Sequence, residues 1–156
     1  MMQAENDWLD MLREDECRRL LASANLGRVG FSAGALPAIQ PVHFAVHNRQ
    51  VIIPALSGGR LVTGCRGGIV TVQADSCDWT AGTVWSVEVV GPARVVTDPA
   101  EAAELDALGL VSPTTAAPAR CYIAVEMARI TGWCGEGDPV CWTGQADGRR
   151  EARVSA

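Results

Sequence analysis

The chain has 156 residues, 48% of them hydrophobic and 20% charged, which is ordinary for one globular domain. Its net charge of -5 argues against a nucleic-acid partner, and because all 13 basic residues are arginine, mechanisms that need a Schiff-base lysine are excluded. No apolar run reaches the roughly 20 residues of a membrane span, and the first residues lack the pattern of a signal peptide, so we expect a cytoplasmic protein with no membrane partner.

A helix is the first predicted element, over residues 14–24. Apolar positions recur there at the spacing of one helix face, so we expect this face to pack on a sheet. These positions are Cys17, Leu20, Leu21 and Ala24. Asn25 and Gly27 are the predicted end of the helix.

Most of the remaining chain has the pattern of β-strands. Residues 27–32 and 36–46 alternate apolar and polar side chains on either side of Gly34, which predicts a hairpin that opens an antiparallel barrel. The further predicted strands cover residues 50–54, 69–75, 85–97 and 120–133, with a short helix at 60–65.

The sharpest helix signal is Asp98-Pro99-Ala-Glu101. Asp98 as N-cap, Pro99 at the first helical position and Glu101 at the third would form a capping box, which predicts a helix over residues 101–108. The sum of these elements is an α+β chain, mainly β, in which an antiparallel barrel occupies residues 1–133 and short helices flank it. Residues 134–156 are rich in Gly and polar residues, so we expect a polar C-terminal tail, mobile at its end.

None of the six cysteines is part of a CxxC motif, so we expect no metal site. Cys17, Cys65 and Cys121 are interpreted as buried thiols. Cys134 and Cys141 bracket a Gly-rich polar segment, where a local disulfide or a reactive thiol stays open.

Several short motifs follow one another along the chain: Leu26-Gly-Arg-Val-Gly-Phe, Leu36-Pro-Ala-Ile-Gln-Pro-Val-His-Phe, Gly58-Gly-Arg-Leu and Trp85-Ser-Val-Glu-Val-Val-Gly-Pro. Their order resembles that of the pyridoxamine 5'-phosphate oxidase-like proteins, flavin-binding split β-barrels of the small actinobacterial type. The resemblance extends from about Leu12 to about Trp133. It implies an FMN-binding split barrel, a homodimer with FMN or a deazaflavin in each of two interface clefts, and a flavin-dependent oxidoreductase acting on an unidentified small molecule.

The candidate phosphate site is Ser57-Gly58-Gly59-Arg60. A hydroxyl, backbone amides and a guanidinium would converge there on a phosphate dianion, and the glycines would allow close approach. The alternative is an ordinary surface connection in which Arg60 is solvated.

This chain departs from the family pattern at residues 53–55. Related proteins carry an Arg or aromatic residue followed by Thr there, whereas this chain has Ile53-Pro-Ala. Arg66, about one turn beyond Arg60, is the residue expected to replace the missing cation.

The candidate ring-binding residues are Pro41, Val42 and His43 on the second strand, together with Trp85. His43 is the weak catalytic candidate, because an imidazole can hydrogen-bond a ring or donate a proton at neutral pH. The alternatives are a histidine satisfied within the barrel wall and a tryptophan that belongs to the core.

Two other classes of function stay open. One is a non-catalytic module that binds flavin or haem, with His43 or a cysteine as axial ligand. The other is a cofactor-free enzyme or interaction protein that uses the barrel cleft for an apolar metabolite. The substrate, and the choice between FMN and a deazaflavin, cannot be derived from the residues.

Overall fold

The computed structural model describes residues 9–113, 119 and 121–136. They form a nine-stranded antiparallel sheet and three helices, which confirms the predicted split-barrel class. In chain order the elements are β1 (Leu9–Met11), α1 (Glu14–Ser23), β2 (Leu26–Ala33), β3 (Leu36–His43), β4 (Ala45–His47), β5 (Gln50–Ala55), α2 (Arg60–Cys65), β6 (Ile69–Asp78), β7 (Thr83–Val95), α3 (Pro99–Asp106), β8 (Cys121–Glu126) and β9 (Arg129–Glu136).

The long strand β7 joins the two halves of the barrel. The sheet runs in the order β3-β2-β6-β7-β8-β5-β4, and β9 pairs with both β7 and β1. Along β7 the partner changes from β9, up to Val90, to β8, from Ala93 onward. Gly91 lies at this change, where an added Cβ would meet the main chain of Glu126. A single strand therefore serves both halves of the split barrel.

Two apolar cores stabilise the fold. The larger fills the barrel with side chains that include Val29, Val72 and Val87, all fully buried. The smaller one, which includes Ile52 and Leu105, lies where α3 packs against β8.

The three helices follow the predictions closely. Cys17 and Leu21 of α1 are buried against the sheet as expected, and α2 has the predicted bounds. Asp98 caps α3, accepting from the amide of Ala100 at 3.2 Å. The predicted capping box is wrong, because Glu101 instead accepts from the Arg94 guanidinium, with an Nη1–Oε2 distance of 3.0 Å.

Two predicted strands are each two strands. Residues 36–46 divide into β3 and β4 at Phe44, whose amide donates to Asn25 O while its ring enters the core. Residues 120–133 divide into β8 and β9, where the amide of Ala128 donates to Glu126 O in a tight turn. Neither break carries a Gly or Pro in the sequence, so pattern alone could not locate it.

The last strand also extends beyond its predicted end. β9 continues to Glu136, which pairs with Thr83 of β7, and β1, which was not predicted, pairs with residues 133–135 on the other side of β9. The rest of the predicted tail, residues 137–156, lies outside the described residues. Among the helices that the structure describes, none has the length and apolarity of a membrane span.

Candidate functional site

A pocket of about 390 Å³ opens where α1 ends and β2 begins. Four neighbouring strands contribute to it because Arg28 on β2 pairs with Pro41 on β3, and Ser76 on β6 pairs with Trp85 on β7. The structure thus brings two predicted ring-binding residues, Pro41 and Trp85, to one pocket.

Gly27 allows β2 to pass close to β6 beside this pocket. A Cβ at this position would lie 2.5 Å from the carbonyl oxygen of Gln73 and 3.1 Å from the ring of Phe44. The prediction that Gly27 ends the first helix is wrong: the helix cap is Ala24, and Gly27 lies inside β2.

The pocket carries one cation and one anion. Arg28 Nη1 lies 3.5 Å from Asp75 Oδ1, and both side chains are about half exposed, at 55% and 50%. Sequence reasoning did not select either residue. Only the strand register, which places Arg28 opposite Gln73 and hence near Asp75, reveals the pair.

His43 is held by the segment that follows α3. Its Nδ1 lies 2.9 Å from the carbonyl oxygen of Val111, and because a carbonyl only accepts, Nδ1 carries the proton and donates. His43 is not among the residues that line the pocket, although it lies on the same face of β3 as Pro41, two residues away. Val42 is only 2% exposed, so its side chain belongs to the core.

The Ser57–Arg60 turn, which joins β5 to α2, packs against a different part of β2. Arg60 stacks over the Phe31 ring, with its guanidinium carbon 6.0 Å from the ring centroid. Phe31 is three residues from Arg28, about 10 Å along the strand. Within one chain, the structure therefore does not place this turn on the pocket wall.

Part of the predicted phosphate site is already used inside the turn. The Gly59 amide donates to Leu56 O at 3.0 Å, so it is committed to the turn itself. Gly58 has φ +74°, which favours glycine, and an added Cβ there would find open space. The donors that remain are the Ser57 hydroxyl, the Gly58 amide and the two exposed guanidiniums of Arg60 and Arg66.

The region around this turn is basic. Residues 56–68 contain Arg60 and Arg66 and no acidic side chain. Within the described part of the chain, neither arginine forms an ion pair with a carboxylate. The segment accordingly presents two uncompensated positive charges to an anion.

The strand that departs from the family pattern is inaccessible. Ile53, Pro54 and Ala55 are all buried in β5, which pairs with β8. They offer no side-chain donor to a ligand.

Cysteine chemistry is unremarkable in the described residues. Cys17 and Cys65 are fully buried as predicted, and burial raises the pKa of the Cys65 thiol to about 11. Cys121 is half-buried, with its thiol 3.6 Å from Ala55 O. Cys134 lies in β9, whereas Cys141 is outside the described residues, so a bond between them stays a hypothesis. The described residues contain no group of three or more metal-ligating side chains.

Residues 13–133 match the sequence model of the family described as pyridoxamine 5'-phosphate oxidase. The chain belongs to this family, which confirms the resemblance seen in its motifs. It is also 36% identical over 126 residues to the uncharacterized protein Rv0080 of Mycobacterium tuberculosis, an alignment that covers 78% of this chain and 82% of the relative.

Solved structures share the same fold. The FAD binding protein from Mycobacterium smegmatis is 31% identical with a TM-score of 0.69, over 81% of this chain and 98% of that one. The FAD and haem binding protein from the same organism is 17% identical with a TM-score of 0.65, over 96% of this chain and 81% of that one. At that identity the second structure establishes the fold alone.

Proposed function

We propose that this chain is a flavin-dependent oxidoreductase that acts on a small molecule. Membership of the pyridoxamine 5'-phosphate oxidase family supports a flavin, and so does the FAD binding named for the M. smegmatis relative at 31% identity. The observation that carries the proposal is the basic segment 56–68, in which two exposed arginines face no described carboxylate.

The donors of this segment fit a flavin phosphate. A phosphate dianion is best bound by guanidinium groups with a hydroxyl or amide beside them, and Arg60, Arg66, Ser57 and Gly58 supply that set. Gly59 contributes through its lack of a side chain, since its amide is engaged with Leu56. Arg66 is the residue proposed to supply, beside Arg60, the cation that the buried strand end lacks.

Pro41 and Trp85 would contact the flavin ring at the pocket. A bound flavin supplies hydride or electron transfer, and the protein supplies binding, orientation and hydrogen bonds. Because Nδ1 of His43 donates to Val111, its Nε2 is the ring atom left to accept or return a proton beside Pro41. No other residue is assigned a catalytic role.

We also propose that the protein is a homodimer with the flavin at its interface. Ile39 on the edge strand β3 and Ile69 on β6 are 75% and 68% exposed, and the register places both on one face of the sheet, because Ile39 and Thr71 lie opposite Gly30. Exposed apolar side chains that share a face in this way can form the patch of an interaction surface. A second copy covering them would bring the turn of one subunit towards the pocket of the other. In the proposed dimer, the Arg60 and Pro41 of one cleft would come from different subunits.

Flavin titration tests the first part of the proposal. Wild-type protein should quench the fluorescence of FMN or FAD, and Arg60→Met should weaken binding by roughly tenfold or more, the effect of losing a charge-assisted hydrogen bond. Arg129→Met is the matched control, because Arg129 is also exposed but faces Glu88 at 3.7 Å. Absence of flavin binding, an equal loss in both variants, or a haem spectrum in place of a flavin spectrum would contradict the proposal.

Light scattering tests the second part. Ile39→Asp should convert a dimer to a monomer, whereas Ile39→Val should leave the mass unchanged. A monomeric wild type, loaded with flavin, would refute the shared site.

Bleaching of the bound flavin by a reduced candidate substrate without oxygen would then test turnover. The cytoplasmic location expected from the sequence stays a prediction.

A further inference from the structure

We propose that the pocket at the start of β2 is the substrate site, and that it selects a neutral aromatic or heteroaromatic ring bearing a carboxamide-like group. Such a group has a hydrogen-bond acceptor and a donor side by side. That the ligand of this pocket is a substrate rests on the proposed flavin function, whereas the selectivity of the pocket rests on its own residues.

Charge balance is the first argument. Arg28 and Asp75 are the charged residues that line the pocket, and they have opposite signs. An anionic ligand would be attracted by Arg28 and repelled by Asp75, and a cationic ligand would be attracted by Asp75 and repelled by Arg28. A neutral group that accepts from the guanidinium and donates to the carboxylate is stabilised by both.

Geometry is the second argument. The Arg28–Asp75 distance of 3.5 Å is longer than the roughly 2.7–2.9 Å of a tight charge-assisted bond. Both side chains are about half exposed, so each retains hydrogen-bonding capacity for a ligand. The two groups therefore present a donor and an acceptor a few ångströms apart.

The third argument is that the apolar walls of the pocket favour a ligand with an aromatic ring. Leu26 provides apolar surface on the same pocket, and the flavin ring proposed to lie against Pro41 and Trp85 would offer a planar face on which a second ring can stack. The volume of about 390 Å³ lies within the range of small-molecule sites. A small single-ring compound can therefore reach both the apolar wall and the charged pair.

Three probes of nearly identical shape test the selectivity: benzamide, benzoate and benzamidine, which are neutral, anionic and cationic. Binding to the full chain is followed by amide chemical shifts in NMR titrations. Wild type should bind benzamide about threefold more tightly than either ion, the scale set by a half-exposed charge. Asp75→Asn should shift the preference to benzoate, and Arg28→Gln should shift it to benzamidine, each by about threefold or more.

Glu88→Gln and Arg129→Gln are the matched controls, since this exposed pair lies on the same sheet and neither residue lines the pocket. Both should keep the wild-type order of probes. An unchanged order in the Arg28 and Asp75 variants, equal shifts in the controls, or no benzamide binding would overturn the proposal. FMN affinity measured on the same variants separates the two ideas. Loss of all FMN binding with the probe switch intact would refute the flavin function and support the pocket.

Discussion

Replacing Gly91 by alanine should destabilise the barrel where β7 changes partners. The added Cβ would lie 1.8 Å from the carbonyl oxygen of Glu126 and 2.9 Å from its carbonyl carbon. Both atoms belong to the main chain at the last residue of β8, so no side-chain rotation can relieve the contact. Because Cβ contacts under 3.0 Å are essentially never seen, the connection must move by about 1 Å.

The size of the effect follows from what must shift. Moving this connection disturbs the neighbouring pairs of β7 with β8, which begin at Ala93 and Val125. Overpacking of a well-packed site typically costs about 1–3 kcal/mol, and a rigid partner places Gly91→Ala near the upper end. For a chain of this size, a loss of about 3 kcal/mol lowers Tm by roughly 6–12 °C.

Thermal and urea denaturation followed by circular dichroism measure this loss. Gly68→Ala is the control, because its nearest contact would be Gly64 O at an ordinary 3.4 Å and its φ is not positive. We expect its free energy of unfolding to stay within about 0.5 kcal/mol of wild type. Equal stability of the two variants would refute the reasoning, since it would mean that the β8–β9 connection moves freely.

Three further predictions concern single side chains. Tyr122 is the only tyrosine, and burial together with its 2.7 Å bond to Asp106 raises its pKa to about 12, so an ultraviolet titration should show tyrosinate near that pH. In the unfolded chain Tyr122 ionises near pH 10, so the stability that its protonated hydroxyl gives the folded state is present below pH 10 and is lost as the pH rises towards 12. Ionisation of Tyr122 near pH 10 in the folded protein would contradict this prediction. Arg94 lowers the pKa of Glu101, so Glu101→Gln should reduce the free energy of unfolding by less than about 1 kcal/mol at neutral pH. That difference should disappear as the pH falls below 4.5 and through the lowered pKa, and a difference that persists in acid would show another cause. Ala35 has φ +66°, so Ala35→Gly should raise the urea midpoint by the equivalent of about 1 kcal/mol, and a lowered midpoint would contradict this.

Elements that depend on local signals were predictable from the sequence. The helix face of Cys17 and Leu21 and the Asp98 N-cap rest on neighbours within a turn, and both are confirmed. The break at Phe44 depends on where the chain crosses Asn25, a contact that no local pattern encodes, whereas the break at Ala128 is a local turn back to Glu126 that carries no Gly or Pro. Glu101 shows the same limit, since a distant Arg94 replaces the N-cap amide as its partner.

The candidate site divides in the same way. Residue types selected Arg60, Pro41 and Trp85 as candidates, because guanidinium, flat apolar and aromatic groups suit a phosphorylated ring; the structure places Pro41 and Trp85 on one pocket and Arg60 against Phe31. The Arg28–Asp75 pair depends on the register of β2 against β6, which the sequence does not specify residue by residue.

The buried end of β5 links these observations. The resemblance predicts an Arg or aromatic residue followed by Thr at that strand end, whereas this chain places Ile53, Pro54 and Ala55 in the interior against β8. Any phosphate binding must then come from the loop and helix that follow, where Arg60 and Arg66 stand without described carboxylate partners. With Arg60 near one end of β2 and the Arg28–Asp75 pocket near the other, the proposed homodimer would join the two in one groove. Flavin affinity should consequently depend on the integrity of the dimer as strongly as on Arg60 itself.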